Sequence, residues 1–219
     1  MKILIVAATL AEVKPIFTHF GFNNSTFKSN EFELNMVITG VGIVATTFAL
    51  TQKLETKNFN LVINLGVAGT FSNILPIGTL VEVIEEQMAD MGAEDDQNFL
   101  SLFDLGLQMQ NDFPFSDQKI KNEKPMTDLI KVSAITSTIA HGNEISIEKI
   151  NNYYKPAIET MEGFAVFYVC KMKNISFVEL RSISNLVEKR NRSNWNLPMA
   201  VKNLNDFAIS FIEKLILLP

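Results

Sequence analysis

The sequence predicts an α/β fold with a mostly parallel sheet, and three observations lead to this class. Short apolar runs rich in Ile and Val recur along the chain, helical segments fall between several of them, and the composition is globular, with 47% hydrophobic and 20% charged residues. Runs that are apolar on both faces suit strands covered by helices on each side of a sheet. Alternation of such strands with helices is typical of parallel sheets.

The first half of the chain begins with "KILIVAA" at 2–8, which we interpret as a strand. A signal peptide would also carry a lysine and an apolar run, but this run is short and passes directly into an amphipathic segment with Glu12 and Lys14, which predicts a helix. The next predicted strands are "LNMVITG" at 34–40 and "NLVINLG" at 60–66, with a helix, "IVATTFALTQKLETK", at 43–57 between them.

The second half continues with predicted strands "TLVEVIE" at 79–85 and "VSAIT" at 132–136. Between them, Asp90 to Pro125 is polar and without a convincing period, so we expect a long surface excursion that is either a functional lid or subunit contact, or disordered. A helix at 161–173, a strand "SFVELRSIS" at 176–184 and a helix at 197–218 with apolar residues at three- and four-residue spacing complete the chain. Residues 1–219 are predicted to form a single domain.

The charge and cysteine content argue against several classes of function. The net charge is −5, and all three arginines, Arg181, Arg190 and Arg192, lie in the last forty residues, whereas nucleic-acid binding needs a basic face. The only cysteine, Cys170, can form no intramolecular disulfide, which indicates a reducing compartment. No run reaches the roughly 18 apolar residues of a membrane span. We therefore expect a cytoplasmic protein with no metal, no cofactor, no nucleic-acid partner and no membrane partner.

Candidate ligand-binding segments lie at the carboxyl ends of the predicted strands, where ligands bind in open α/β sheets. These segments are "AATLAE", "NLGVAGTF", "ETMEGF" and "RSISN". Gly66 and Gly69 in the second would allow a tight strand-to-helix turn and close approach of a ligand to backbone N–H groups. A packing turn without a ligand is the alternative interpretation. The segment matches neither a dinucleotide-binding glycine motif nor a Walker loop.

Two glutamates are candidate functional residues. Glu12 lies one turn into the first predicted helix, where an acid also complements the helix dipole. Glu162 follows Met161 and would be partly buried, so it needs a partner, although helix capping is an equally adequate role. His19 and His141 have no evident nucleophile with an orienting acid, so we leave both outside the mechanism.

In order and spacing, these segments resemble the nucleoside phosphorylase and nucleosidase superfamily, in the branch of methylthioadenosine/S-adenosylhomocysteine nucleosidases and futalosine hydrolases. The resemblance runs almost end to end and rests on "AATLAEVKPI", "VITGVGIVATT", "NLGVAG", "ETMEGFAVFYVC" and "LRSISN". It implies a three-layer α/β/α fold with a twisted, partly barrel-like mixed sheet and a homodimer. It also implies hydrolysis of a purine N-glycosidic bond in a small-molecule nucleoside, through an oxocarbenium-like transition state.

The resemblance also implies roles for individual residues. Glu12 would orient and deprotonate the attacking water, and Glu162 would accept hydrogen bonds from the ribose hydroxyls. The other implied site residues are Met161 beneath the ribose, Gly66, Val67, Ala68 and Gly69 near the base and sugar, Ser184, and Arg181, which would hold the carboxylates or anchor the strand end.

Asn185 is the position that favours one substrate over another. In adenine-cleaving members of the branch this position is an aspartate, which accepts from the exocyclic amine and protonates N7. An asparagine is no acid, but its amide nitrogen can donate to N7 and to a 6-oxo group. A buried polar mismatch costs about 1–3 kcal/mol, enough for a tenfold bias. We therefore expect futalosine, a hypoxanthine riboside of the menaquinone route, with 6-amino-6-deoxyfutalosine or methylthioadenosine/S-adenosylhomocysteine as the alternative.

The segment "RNRSNW" follows Asn185 as it does in futalosine hydrolases. Arg190, Arg192 and Trp195 could form a cationic and aromatic rim for the carboxylate arm of futalosine, or a solvated loop with Trp195 in the core. The sequence departs from adenine-cleaving relatives at Val67, where they carry a serine, and around Ile139, where they carry an aromatic that stacks on the base.

Two other functions compete with hydrolysis. A phosphorylase of the same superfamily would place arginine near phosphate, and this chain has no arginine before position 181. A nucleoside-binding module without catalysis has little need of a water-activating acid, so the presence of both Glu12 and Glu162 argues against it.

Overall fold

In the computed structural model, which describes residues 1–29 and 32–217, a mixed nine-stranded sheet lies at the centre of the protein. Its strands are β1 (Lys2–Ala7), β2 (Thr26–Lys28), β3 (Glu33–Ile38), β4 (Leu61–Thr70), β5 (Leu80–Met88), β8 (Ile120–Lys121), β9 (Ile130–Thr136), β10 (Ile158–Thr160) and β11 (Ser176–Leu186). A separate hairpin consists of β6 (Gly92–Asp95) and β7 (Asn98–Ser101).

The strand order is β10-β9-β5-β11-β4-β1-β3-β2, with β8 added to β5. Because β10 also pairs with β4, the strands β4, β11, β5, β9 and β10 close into a small barrel at one end of the sheet. Strand β4 is parallel to β1 and β11, whereas β11 and β5 are antiparallel. The mixed sheet implied by the resemblance is therefore confirmed, and the sheet is less parallel than the apolar runs alone predict.

Helices cover both faces of the sheet. They are α1 (Leu10–Phe20), α2 (Ile43–Thr56), α3 (Glu144–Tyr154), α4 (Gly163–Met172) and α5 (Leu197–Leu217), with a 3₁₀ turn at Arg192–Asn194. Strand β1 shows why its sequence is apolar throughout: Ile3 and Ile5 join the core beneath α1 and α5, while Leu4 and Val6 join the core beneath α2 and α4. Two apolar cores on opposite faces make the three layers.

All the predicted strands and helices are present. The strands predicted from apolar runs are β1, β3, β4, β5, β9 and β11, and the predicted helices are α1, α2, α4 and α5. The sequence did not predict β2, β6, β7, β8, β10 or α3. Helix α3 has apolar residues at helical spacing, Ile147, Ile150 and Tyr154, but none of its residues is fully buried. The closing helix was predicted to reach Leu218, which lies outside the described residues, as do Asn30, Glu31 and Pro219.

The turn predicted at Gly66 and Gly69 is wrong, because β4 continues without a break through Thr70. Neighbouring strands pair with this part of β4 on both sides. Arg181 of β11 is the partner of Gly66, and β10 pairs with Gly69. The glycines provide space here, since a Cβ atom at Gly66 would lie 1.9 Å from Nη1 of Arg181.

The segment from Asp90 to Pro125 has regular structure that its sequence did not predict. It contains the β6–β7 hairpin and β8, which adds to the edge of β5. Its aromatic residues pack on α4, with ring centroids 5.3 Å apart for Phe103 and Phe115 and 6.3 Å apart for Phe115 and Phe164. A role as a lid or subunit contact stays a prediction, as do the single domain and the homodimer.

Across the described residues, no helix combines the length and the apolar character needed to cross a membrane. The cytoplasmic location stays a prediction from the sequence.

Candidate active site

A cleft of about 380 Å³ opens where β1, β4 and β11 end and where α4 begins. This is the edge of the sheet at which the sequence predicted ligand binding. The predicted site residues that line it are Glu12, Val67, Ala68, Gly69, Met161, Glu162, Ser184, Asn185 and Arg190. The fold therefore brings together residues that are up to 178 positions apart, from Glu12 to Arg190.

Three predicted site residues do not line the cleft. Gly66 and Arg181 lie directly behind it, packed against each other and against Glu12. Arg192 lies in the exposed 3₁₀ turn. Ile139, expected near the base, is 59% exposed and is not among the lining residues, whereas His141 is.

Glu12 uses its two carboxylate oxygens in different ways. Thr9, at the start of α1, donates to Oε2 from its backbone N–H at 2.9 Å and from its hydroxyl at 2.8 Å. The backbone N–H of Val67 in β4 donates to Oε1 at 3.3 Å. Glu12 therefore does stabilise the start of α1, and the same contacts fix its carboxylate at the wall of the cleft.

Glu162 is 8% exposed, and its Oε1 accepts a hydrogen bond of 2.9 Å from the backbone N–H of Gly42. Gly42 is the N-cap residue directly before α2, with a φ of 93° that favours glycine. Burial raises the pKa of Glu162, while the charge of Arg181 opposes that shift. The side chain does not cap its own helix α4 but lies at the N-terminus of α2, where the helix dipole favours a carboxylate.

Arg181 is a buried cation behind the two carboxylates. Its Nε donates to Oε1 of Glu179 at 2.8 Å, and Oε2 of Glu179 accepts from Asn64 at 3.0 Å. Burial alone would lower the pKa of Arg181, but the negative charges of Glu179, Glu162 and Glu12 outweigh burial and raise it. Arg181 is thus held charged, and its positive charge faces the cleft carboxylates from behind.

The carboxamide of Asn185 is fixed in orientation by its neighbours. Its Nδ2 donates to the Leu186 carbonyl at 2.9 Å, and its Oδ1 accepts from the Ser184 hydroxyl at 2.7 Å. Because a carbonyl oxygen only accepts, the contact with Leu186 determines which end of the amide is nitrogen. A register shift between Ile183 and Asn185 interrupts pairing with β4 at this point, as β-bulges near active sites often do.

Sequence reasoning missed a histidine–glutamate pair in the cleft. Glu159 on β10 accepts from the backbone N–H of His141 at 3.0 Å, and its other oxygen binds Nδ1 of the same residue. The two side chains are only 5% and 7% exposed, and both line the cleft. No local sequence pattern points to this pair, since the two residues are 18 positions apart and β10 is three residues long.

Arg190 and Trp195 form the outer rim of the cleft. The guanidinium carbon of Arg190 lies 5.2 Å from the Trp195 ring centroid, within cation–π distance. Trp195 is half-buried and lines the cleft, so it is not in the core.

The cleft has a carboxylate side and a hydrogen-bonding side. Glu12 and Glu162 place negative charge at one wall, while Asn185 and His141 place polar nitrogen atoms at another. Two walls of this kind suit a reaction in which positive charge develops on one fragment of the substrate and negative charge on the other. Within 1–29 and 32–217, no three His, Cys, Asp or Glu residues form a group that could hold a metal ion.

Comparisons with known proteins agree with this architecture. A futalosine hydrolase from Streptomyces coelicolor is 28% identical over 154 residues, which cover 70% of this chain and 65%, less than two thirds, of that protein. A 5′-methylthioadenosine/S-adenosylhomocysteine nucleosidase from Shewanella loihica is 28% identical over 203 residues, which cover 84% of this chain and 86% of that protein.

A solved structure of futalosine hydrolase from Helicobacter pylori has the same fold, with a TM-score of 0.78, 18% identity and 98% of each chain covered. The family model described as the phosphorylase superfamily matches residues 2–213. Because this match spans nearly the whole sequence, the chain belongs to the phosphorylase superfamily.

Proposed function

We propose that this protein hydrolyses the N-glycosidic bond of a purine nucleoside and that its preferred substrate is futalosine, from which it releases hypoxanthine and dehypoxanthine futalosine. The observation that carries the choice of substrate is the oriented carboxamide of Asn185. The S. coelicolor relative, named futalosine hydrolase, supports the same choice. On this substrate the protein would belong to the futalosine route to menaquinone.

Glu12 is the group that would activate water. Its Oε2 is engaged by Thr9, while Oε1 has one longer contact of 3.3 Å to Val67, so Oε1 is the oxygen best placed to take a proton. Water attacks C1′ of the ribose, the C1′–N9 bond breaks, and its electron pair leaves with the purine. Net hydrolysis adds a hydroxyl group to the ribose and a proton to the base.

The buried charges behind the cleft suit the cationic sugar that forms as this bond breaks. Glu162 would accept hydrogen bonds from the ribose hydroxyls and stabilise positive charge on the ring. Arg181 lies on the far side of both carboxylates and offsets the cost of burying them. The carboxylates are thereby kept in place before substrate arrives.

Asn185 would recognise the departing base. One of its two amide hydrogens is used by Leu186, which leaves the other to donate to N7 and the 6-oxo group. A 6-amino group at the same place would present a donor to a donor. The resulting loss of about 1–3 kcal/mol corresponds to a preference of tenfold or more for hypoxanthine over adenine.

Release of adenine from 6-amino-6-deoxyfutalosine or from methylthioadenosine/S-adenosylhomocysteine is the second candidate function. It is favoured by the S. loihica relative, a 5′-methylthioadenosine/S-adenosylhomocysteine nucleosidase whose match covers more of this chain than the match to the S. coelicolor protein does.

One assay tests the proposal. The protein is incubated with futalosine, 6-amino-6-deoxyfutalosine and methylthioadenosine, each with and without phosphate, and the free base is identified by chromatography. We expect hypoxanthine from futalosine without phosphate, with kcat/KM at least about tenfold above that for either adenine substrate. Dependence on phosphate would indicate a phosphorylase, and preferred release of adenine would indicate the second candidate function.

A further inference from the structure

The pair of His141 and Glu159 is a feature of the cleft for which the proposed reaction has so far given no role. Both side chains are nearly buried, and the Glu159 carboxylate contacts both the backbone N–H and Nδ1 of His141. Glu159 engages Nδ1 of the imidazole, and Nε2 has no hydrogen-bond partner among the residues that the structure describes. A carboxylate on one ring nitrogen orients the imidazole and stabilises the imidazolium form.

Strand register places this pair next to Asn185. Gly69 of β4 is paired with Glu159 of β10 on one side and with Asn185 of β11 on the other. The two flanking residues are therefore at the same level, with backbones about 10 Å apart across two strand spacings. A Cβ atom at Gly69 would lie 3.2 Å from Nδ2 of Asn185 and 2.8 Å from Cγ2 of Val187, so the glycine makes room for the Asn185 amide at this level of the sheet. His141 and Asn185 thus belong to the same end of the cleft, where the base would lie.

The leaving base needs a proton that Asn185 cannot supply. Departure of the purine as an anion is unfavourable, and a carboxamide donates a hydrogen bond without giving up its proton. Glu188 and Arg190 also line this end, but Glu188 accepts from Asn194 at 2.7 Å and Arg190 lies over the Trp195 ring at the outer rim. His19, the other histidine, lies on the surface beside Glu213. His141 is the described cleft side chain best suited to proton donation.

We propose that His141, oriented by Glu159, is the general acid for the departing purine, an inference that rests on the proposed nucleosidase function. As C1′–N9 breaks, its electron pair passes into the purine ring, and the imidazolium Nε2 proton is transferred to an acceptor atom of the base. Glu12 takes a proton from the attacking water. Solvent then returns that proton to the imidazole, so that the cycle consumes one water and leaves the enzyme unchanged.

The test compares leaving groups. Wild-type protein and the His141→Asn, Glu159→Gln and His19→Asn variants are assayed without phosphate on the purine riboside that the wild type cleaves best, and on 4-nitrophenyl riboside. Nitrophenolate is a stable anion whose departure needs no acid. We expect kcat for purine release to fall about 100-fold or more in His141→Asn, with less than about threefold change for nitrophenolate release. Glu159→Gln should show the same selective loss to a smaller extent, and His19→Asn should match the wild type on both substrates.

Each outcome has a defined meaning. Equal losses on the two substrates, or unchanged purine release, would overturn the role of His141. Thermal denaturation identifies a variant that has not folded. If His141→Asn does not fold, Glu159→Gln replaces it in the comparison, because glutamine keeps the size of the side chain and a hydrogen-bonding group. If wild-type protein releases no purine from any riboside, the proposed function itself has failed.

Discussion

The guanidinium of Arg181 lies where a side chain at Gly66 would have to be. A Cβ atom at Gly66 would approach Nη1 of Arg181 to 1.9 Å and Oε1 of Glu12 to 3.2 Å. The two residues are also direct partners in the parallel pairing of β4 with β11. Glycine at this position therefore lets a buried cation stand directly behind the carboxylate that would activate water.

Substitution of Gly66 by alanine should destabilise the protein through this contact. The added methyl group has to displace the guanidinium or shift β4, and overpacking or disruption of a buried ion pair costs about 1–5 kcal/mol. Urea denaturation measures the free energy of unfolding. Gly142→Ala is the matched control, since its nearest neighbours would be at 3.6 Å, and we expect a change within about 0.5 kcal/mol. Equal stability of the two variants would contradict this packing argument.

Much of the fold and the place of the cleft could be predicted from local sequence. Strand β1 is apolar at every buried position because both of its faces are covered, and this pattern is visible in "KILIVAA". Asn185 could be found because a polar pair at the end of an apolar strand is unusual. Glu12 follows the first predicted strand and Glu162 lies at the start of the predicted helix at 161–173, so both carboxylates of the cleft could be singled out as candidates.

Features that depend on contacts between distant segments could not be predicted. Strand β10 is three residues long and carries Glu159, whose partner His141 lies in a loop. Glycine is common in turns, so the sequence predicts a turn at Gly66, whereas in the structure this glycine makes room for Arg181. Neither the pair of Glu159 and His141 nor the contact of Gly66 with Arg181 exists until β4, β10 and β11 lie side by side.

Replacement of Glu12 by glutamine should separate catalysis from binding. The amide keeps the size of the side chain but cannot accept the proton of water, so we expect no measurable turnover. Affinity for substrate should stay within about tenfold, or 1.4 kcal/mol, because Glu162 and Asn185 are unchanged. Single-turnover kinetics and equilibrium binding give the two quantities. Parallel loss of both, with a lowered melting temperature, would instead assign Glu12 to capping of α1.

Asn185→Asp should shift the choice of base toward 6-amino purines. A carboxylate accepts from an exocyclic amine and repels a 6-oxo group, so the ratio of kcat/KM for adenine and hypoxanthine substrates should rise about tenfold or more. Ser184→Ala tests the support of the amide, since it removes the hydroxyl that donates to Oδ1 but leaves the Leu186 contact. We expect Ser184→Ala to change the rates on both substrates but to change this ratio less than Asn185→Asp does. An unchanged ratio in Asn185→Asp would remove the argument for hypoxanthine.

Glu86 should make the stability of the protein depend on pH. It is fully buried on β5, and burial together with the negative charge of Glu179 raises the pKa of Glu86 well above its usual range. A carboxyl with a raised native pKa binds more protons folded than unfolded, so its favourable contribution is complete below about pH 4 and is lost as pH rises through the native pKa. Glu86→Gln mimics the protonated form.

The stability of Glu86→Gln relative to wild type should therefore rise from pH 5 to pH 8. Urea denaturation at several pH values measures this difference. Glu55→Gln, at a side chain that is 61% exposed, should show no such trend. A wild type that gains stability over Glu86→Gln toward pH 8 would mean that Glu86 is charged and stabilising in the native state.

Arg190 and Arg192 form a natural matched pair for testing the rim, because only Arg190 lines the cleft and lies over Trp195. If Arg190 receives the carboxylate arm of futalosine, Arg190→Gln should raise KM for futalosine about tenfold, the effect of losing one charge-assisted hydrogen bond. Inosine has the same base and no arm, so its KM should change by less than about twofold. Arg192→Gln should leave both values unchanged. If both substitutions raised the KM for futalosine equally, the substrate would be attracted by the overall charge of this loop rather than by a contact with Arg190.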